Sequence, residues 1–234
     1  ENPIIQTVFI EGIKRKKTVN SLYDILLLKN RSAFNLNSIK VDEQNILNFL
    51  RDDGYYFSKI STSYNDLKNN KIDLFYKIDL GKKAKISKIL FVGDKKFKDA
   101  KLRNIILSEE YKFWKIVSGK KFLNENLINL DKRLLGNFYK NKGYYDIKIN
   151  STFANYLGRD EFELVYNITS GKKYFFNDII LKLPIDYNEI YFENLKKIFV
   201  DLKGKNYSLN AIDKVLKEID KIVLNEQYEF LNST

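Results

Sequence analysis

The sequence predicts an α+β fold: tandem β-α-α-β-β modules, each a three-stranded mixed sheet covered by two helices. Three observations predict it. Landmarks recur in the same order along the 234 residues, period-two strands close each recurrence, and helical stretches with 3.6-residue periodicity lie between them.

The first landmark is a short β-branched strand. Ile5-Gln-Thr-Val8-Phe9-Ile10-Glu11-Gly12 returns as Ile86-Ser-Lys-Ile89-Leu90-Phe91-Val92-Gly93, and more weakly as Phe176-Asn-Asp-Ile179-Ile180-Leu181. The glycines Gly12 and Gly93 close the strand as turn residues. Two helices follow, expected over 19–28 and 41–53, then 99–108 and 124–142, then 189–202 and 209–226. Leu127, Leu130, Leu134 and Phe138 share one helical face, as do Ile212, Leu216, Ile219 and Val223, with Asn124 and Ser208 placed as N-caps.

The second landmark is a corner, Asp53-Gly54-Tyr55-Tyr56, repeated as Lys142-Gly143-Tyr144-Tyr145 and weakly as Glu226-Gln227-Tyr228. It reads as a helix-stopping glycine followed by tyrosines that pack beneath the helices. Two strands follow. The last alternates cleanly, with Ile72, Leu74, Tyr76, Ile78 and Leu80 on one face, and with Phe162, Leu164, Tyr166 and Ile168 in the second copy. The third landmark ends that strand: Gly81-Lys82-Lys83, then Gly171-Lys172-Lys173. The expected units are 1–82, 83–172 and 173–234. The last stops at Glu229-Phe-Leu-Asn-Ser-Thr234, before its final strand. A chain that opens at Glu1 and holds no methionine is expected to be a processed or excised piece.

Composition narrows the chemistry. Without cysteine or histidine, disulfides, Cys/His zinc sites, thiol catalysis and His-based triads are excluded. No phosphate-cradling glycine motif occurs, and the neighbouring carboxylates Asp52-Asp53 and Glu109-Glu110 diverge by about 100° on a helix. No catalytic residue, metal site or cofactor is therefore expected. The net charge of +11 suits a polyanion, but it rides on a lysine-, asparagine- and isoleucine-rich composition. The basic runs Lys14-Arg-Lys-Lys17, Lys82-Lys83 and Lys172-Lys173 read as solvated turns. A nucleic-acid-binding repeat protein remains an alternative.

Two features suit a partner. The segment Tyr111-Lys-Phe113-Trp114-Lys-Ile116-Val117 lies where the second unit exceeds the first (Gly93 to Gly143 spans 50 residues, Gly12 to Gly54 spans 42). It either caps its own core or offers Trp114 as a hot spot. Second, strong alternation places the last strand centrally, leaving the penultimate strand at the sheet edge: 57–64 in unit one and 145–156 in unit two. Such an edge offers unpaired N–H and C=O groups to an extended peptide, unless neighbouring segments cover it.

These landmarks resemble consecutive POTRA (polypeptide-transport-associated) domains of the BamA family of outer-membrane β-barrel assembly factors, specifically the second, the third and a truncated fourth. The likeness covers the whole chain, including Phe113-Trp114, Gly143-Tyr144 and Asn150-Ser-Thr152. The turn after the first strand departs from the family's usual Gly-Asn, being Gly12-Ile13, Gly93-Asp94 and Leu183-Pro184. The resemblance implies a periplasmic arm ahead of a membrane barrel. That arm receives unfolded outer-membrane proteins and docks accessory lipoproteins of the BamB type. Carried onto this chain, the docking edge comprises Tyr145, Ile147, Ile149, Ser151, Phe153, Ala154 and Tyr156, joined by Trp114. TamA-type and two-partner-secretion transporters carry POTRA arms too and stay as alternatives.

Overall fold

A computed structural model describes residues 2–114, 118–185 and 187–225, and the side chains of Ser151 and Phe153 lie outside that description. The elements run β1 (Ile4–Glu11), α1 (Lys16–Ile25), α2 (Leu36–Asp52), β2 (Lys59–Leu67), β3 (Lys71–Asp79), β4 (Lys85–Asp94) and α3 (Asp99–Arg103). They continue with α4 (Glu125–Lys140), β5 (Lys148–Gly158), β6 (Glu161–Thr169), α5 (Glu193–Leu202) and α6 (Leu209–Asn225). Two sheets form, ordered β1-β3-β2 and β4-β6-β5. By packing, the chain separates into two bodies: Glu1–Leu90 with Leu107–Leu130 and Phe153–Val165, and Phe91–Ile106 with Asp131–Thr152 and Tyr166–Thr234.

In the first body the last strand of the repeat is central, as its alternation predicts. β3 pairs parallel to β1 and antiparallel to β2, with Leu74 opposite both Val8 and Tyr64. Ile72, Leu74, Tyr76 and Ile78 point under the helices and are buried, as are Ile39, Asp42, Ile46 and Leu50 of α2 at helical spacing. Each buried aliphatic side chain contributes about 1.5–3 kcal/mol. The opposite face of the sheet carries an apolar pair of its own, with Phe9 stacked on Phe75 at 4.8 Å.

Several boundaries differ from expectation for identifiable reasons. α1 starts and ends earlier, because the Leu27 and Leu28 amides leave the helical ladder and donate to the two carboxylate oxygens of Asp42 at 2.6 and 3.0 Å. α2 starts five residues earlier than expected, at Leu36, because Asn35 Oδ1 caps it through the Asn37 amide at 2.8 Å. Asn124 and Ser208 cap as expected, accepting from the Leu127 amide at 2.7 Å and the Ala211 amide at 3.3 Å. α3 stops at Arg103, and by Glu109 the backbone donates to Lys120 O at 3.0 Å.

β5 turns into β6 within the first body's Phe153–Val165 stretch, through Arg159 and Asp160, both left-handed with φ of 51° and 64°. A two-residue loop of this kind joins antiparallel strands. In the second body Tyr166, Ile168 and Leu135 fill the interior, and Tyr139 closes its end by donating to Lys95 O at 2.7 Å. The third repeat is thinner. Phe192, Leu195 and Phe199 form its core, with Ile179, Leu181 and Val215 packed on it. Its expected first strand over 176–181 is not a strand among the described residues, where its backbone pairs only through the Phe176 amide to Lys205 O and the Gly204 amide to Phe176 O. The helix expected over 189–202 is a 3-10 turn at Glu189–Phe192 running into α5. The weak corner at Glu226-Gln227-Tyr228 and the strand after it lie outside the described residues.

Candidate partner-binding edges

Each sheet has two margins, and the chain treats them unequally. In the first sheet the outer margin of β1 is sealed. The Ile5 amide donates to Ser32 O at 2.9 Å, the Arg31 amide donates to Ile5 O at 2.7 Å, and the Val8 amide donates to Asn30 Oδ1 at 2.9 Å. The Tyr23 hydroxyl completes the seal by donating to Val8 O at 2.9 Å. β4 is sealed in the same way by the segment that enlarges the second repeat. The Tyr111 amide donates to Ile86 O at 2.6 Å, the Leu123 amide to Ala84 O at 2.8 Å, and Glu110 Oε1 accepts from the Ile89 amide at 3.0 Å.

β2 and β5 end the opposite sides of their sheets, and among the described residues no backbone segment bonds to their outer margins. Their interiors carry none of the usual deterrents. Between Lys59 and Asp66, and from Ile149 to Gly158, there is no charged residue and no proline. Thus one covered and one uncovered margin recur in both sheets, and the uncovered one is the penultimate strand in each.

The sequence-predicted site divides on this geometry. Ile149, Ser151, Phe153, Ala154 and Tyr156 belong to β5, whereas Tyr145 and Ile147 precede it. The strand starts late because a turn follows the corner, with the Ile147 amide donating to Tyr144 O at 3.4 Å. The Ser58 amide does the same to Tyr55 O at 3.5 Å, so the edge expected over 57–64 runs Lys59–Leu67. Ile149 and Ala154 are half-buried, and Tyr156 is exposed, its ring 5.4 Å from Phe57 and 5.2 Å from Phe162. Trp114 stands apart from the edge at 62% exposure, beside Phe113 at 78%. The capping role belongs instead to Tyr111, whose ring lies under the ammonium groups of Lys85 and Lys121 at 4.8 and 5.1 Å.

Tyr145 instead serves a joint that sequence reasoning missed. Its ring meets Tyr207 edge-on at 5.2 Å and Tyr174 at 6.1 Å. At the same place Gly143 O accepts from the Tyr174 amide at 2.7 Å, and Asn141 Oδ1 accepts from the Ser208 hydroxyl at 3.0 Å and the Asn210 amide at 2.8 Å. The Tyr174 hydroxyl donates to Asp146 Oδ2 at 2.5 Å, and that bond raises its pKa. The first corner repeats the device: Gly54 O accepts from the Ala84 amide at 2.8 Å, while Lys83 pairs with Asp53 at 3.0 Å and covers the Tyr55 ring at 4.7 Å. Its signal was near-constant spacing, 30 residues from Gly54 to Ala84 and 31 from Gly143 to Tyr174.

No three acidic side chains converge as a metal site among the described residues, and no described helix is long and apolar enough to cross a membrane. Comparison with known proteins decides the family. The POTRA family profile (Surface antigen variable number repeat) matches residues 3–81 and 84–171.

The chain belongs to the POTRA family.

Tandem POTRA repeats of α+β architecture are therefore what the recurring landmarks recorded. Among known proteins, the chain is 26% identical over 98% of its length to outer membrane protein assembly factor BamA of Neisseria meningitidis serogroup B. It is 22% identical over 99% of its length to the protein of that name in Neorickettsia risticii. It spans 29% and 31% of those two relatives' own lengths. The crystal structure of Haemophilus influenzae BamA POTRA3-5 superposes with a TM-score of 0.51 and 11% identity, covering 94% of this chain and 85% of that one. At that identity the likeness carries the fold alone.

Proposed function

We propose that this chain is a periplasmic, polypeptide-binding arm of an outer-membrane protein assembly factor. On this reading POTRA units at 1–82, 83–172 and 173–234 precede a membrane β-barrel elsewhere in the parent protein. The arm performs no chemistry. It takes up unfolded outer-membrane proteins and docks accessory lipoproteins of the BamB type by adding their extended segments to the outer margin of β5.

The observation that carries the reading is the unequal treatment of the two sheet margins: β4 is bonded along its outer side and β5, among the described residues, is not. An added strand there gains main-chain hydrogen bonds, with the half-buried Ile149 and Ala154 and the exposed Tyr156 giving side-chain selectivity. The relatives' shared name, outer membrane protein assembly factor, supports the class of guest.

Proline substitution tests it. Successive amides of a strand point to opposite margins, so of I149P and N150P one removes a ladder bond to β6 and the other an outward donor. The outward variant is expected to keep its circular dichroism and melting behaviour while losing peptide and lipoprotein binding. Binding retained by both folded variants overturns the reading. Raising the salt separates it from polyanion binding, which weakens steeply with ionic strength.

A further inference from the structure

The enlarged segment of the second repeat has a fixed base and an aromatic tip. At the base, four hydrogen bonds hold it: Tyr111 amide to Ile86 O, Glu109 amide to Lys120 O, Leu123 amide to Ala84 O, and Ile89 amide to the Glu110 carboxylate. The Tyr111 ring is clamped between Lys85 and Lys121. Beyond this base the chain turns outward. Phe113 and Trp114 meet edge-to-face at 4.7 Å and still leave 78% and 62% of their surfaces in water. With most of each ring in water, burial in the core of the repeat does not explain them.

The charge around the tip is positive. Lys112 is exposed with its ammonium 5.7 Å over the Trp114 ring, and Lys120 is exposed at the return of the segment. Of the two carboxylates that precede the tip, Glu109 and Glu110, that of Glu110 is turned inward to the Ile89 amide. An amphipathic indole and a phenyl ring projecting past lysines match a bilayer interface, where aromatic rings settle at headgroup depth and lysines meet lipid phosphates.

We infer that the Phe113–Trp114 tip is an interfacial membrane anchor that dips into the headgroup layer of an anionic phospholipid surface. A protein pocket is the competing occupant, and the cationic collar favours the lipid. Two rings and two lysines give weak, reversible attachment, suited to orienting an arm beside a membrane to which it is held by other means. The inference is independent of the β5 edge, since no residue of that strand takes part.

Trp114 is the only tryptophan in the chain, so its emission reports the tip directly. The whole chain is titrated with vesicles of phosphatidylcholine alone and of phosphatidylcholine mixed equally with phosphatidylglycerol. With the anionic vesicles the emission is expected to shift to the blue and to be quenched by acyl-brominated lipid. The neutral vesicles give a much smaller change. The double variant F113S/W114S, followed by co-sedimentation, loses at least about tenfold in partitioning, and K112E/K120E loses several-fold. Unshifted emission at saturating anionic lipid overturns the inference, as does undiminished sedimentation of F113S/W114S, which would place adsorption on other basic runs. A shift produced only by a protein partner, and not by vesicles, overturns it as well.

Discussion

The Tyr76 hydroxyl donates to Asp42 Oδ2 at 2.9 Å in the interior of the first repeat, where neither side chain meets solvent. The same carboxylate accepts the Leu27 and Leu28 amides, so it ties α2 to the end of α1 and to the central strand at once. Tyr166 donates to Asp131 at 2.7 Å in the second repeat, with Asp131 again seven residues after the capping asparagine. The third repeat has Val215 at that position, packed on its core. A buried carboxylate is tolerable only when its acceptor sites are filled, and in both repeats a tyrosine of the central strand fills one of them.

Removing the phenol should therefore cost more than a surface bond. Tyr76→Phe and Tyr166→Phe should each destabilise by about 1.5–3 kcal/mol, the range for hydrogen bonds to charged groups. Asp42→Ala should cost more, because it also strands two backbone amides, the buried one of Leu28 and the part-buried one of Leu27. Urea unfolding followed by circular dichroism measures both, and equal stability of Y76F and the parent would deny the tie any weight.

Alkaline pH should weaken the fold. Burial, then the hydrogen bond to Asp42, pushes the Tyr76 hydroxyl above its ordinary value near 10, and burial does the same to Tyr139. A folded-state value above the unfolded one means that the contribution is whole below pH 10 and declines above it, as the unfolded chain ionises first. Denaturation midpoints measured from pH 8 to 12 should fall beyond about pH 10, less steeply in Y76F.

Two glycines should respond to alanine with opposite signs. Gly143 has φ of +98°, and a Cβ there would lie 3.0 Å from Lys173 Cγ and 3.1 Å from Tyr174 O. G143A should cost about 1–2 kcal/mol and speed proteolysis near the corner. Gly136 lies inside α4 with nothing within 4 Å of its added Cβ, so G136A should stabilise by about 0.5–1 kcal/mol. Thermal melts of the two variants check the pair.

Much of this architecture was legible in the sequence because one rule, period-two alternation, governed it. Ile72, Leu74, Tyr76 and Ile78 marked β3 as central, and that alone made β2 an edge. What the sequence hid lay in bonds between distant groups. Nothing local says that Leu27 and Leu28 give their amides to Asp42, which ends α1 early. An aspartate on an apolar helix face reads as surface until its partners are known. The glycine corners read as helix stops, which they are, since the Tyr55 amide donates to Leu50 O and the Tyr144 amide to Tyr139 O. Their carbonyls also hold the start of the next repeat, a long-range bond carried by backbone and so without a side-chain signature. Trp114 was open between capping and contact, and only its exposure decides against capping.

The most direct test of the central claim is amide hydrogen exchange across the two sheets, with and without an extended outer-membrane protein peptide. Strand addition at the open margin predicts new protection in residues 148–158, confined to alternate amides, while β4, already bonded along its outer side, stays unchanged. Protection of β4 or of the helices with none in β5, or no protection at saturating peptide, would contradict it.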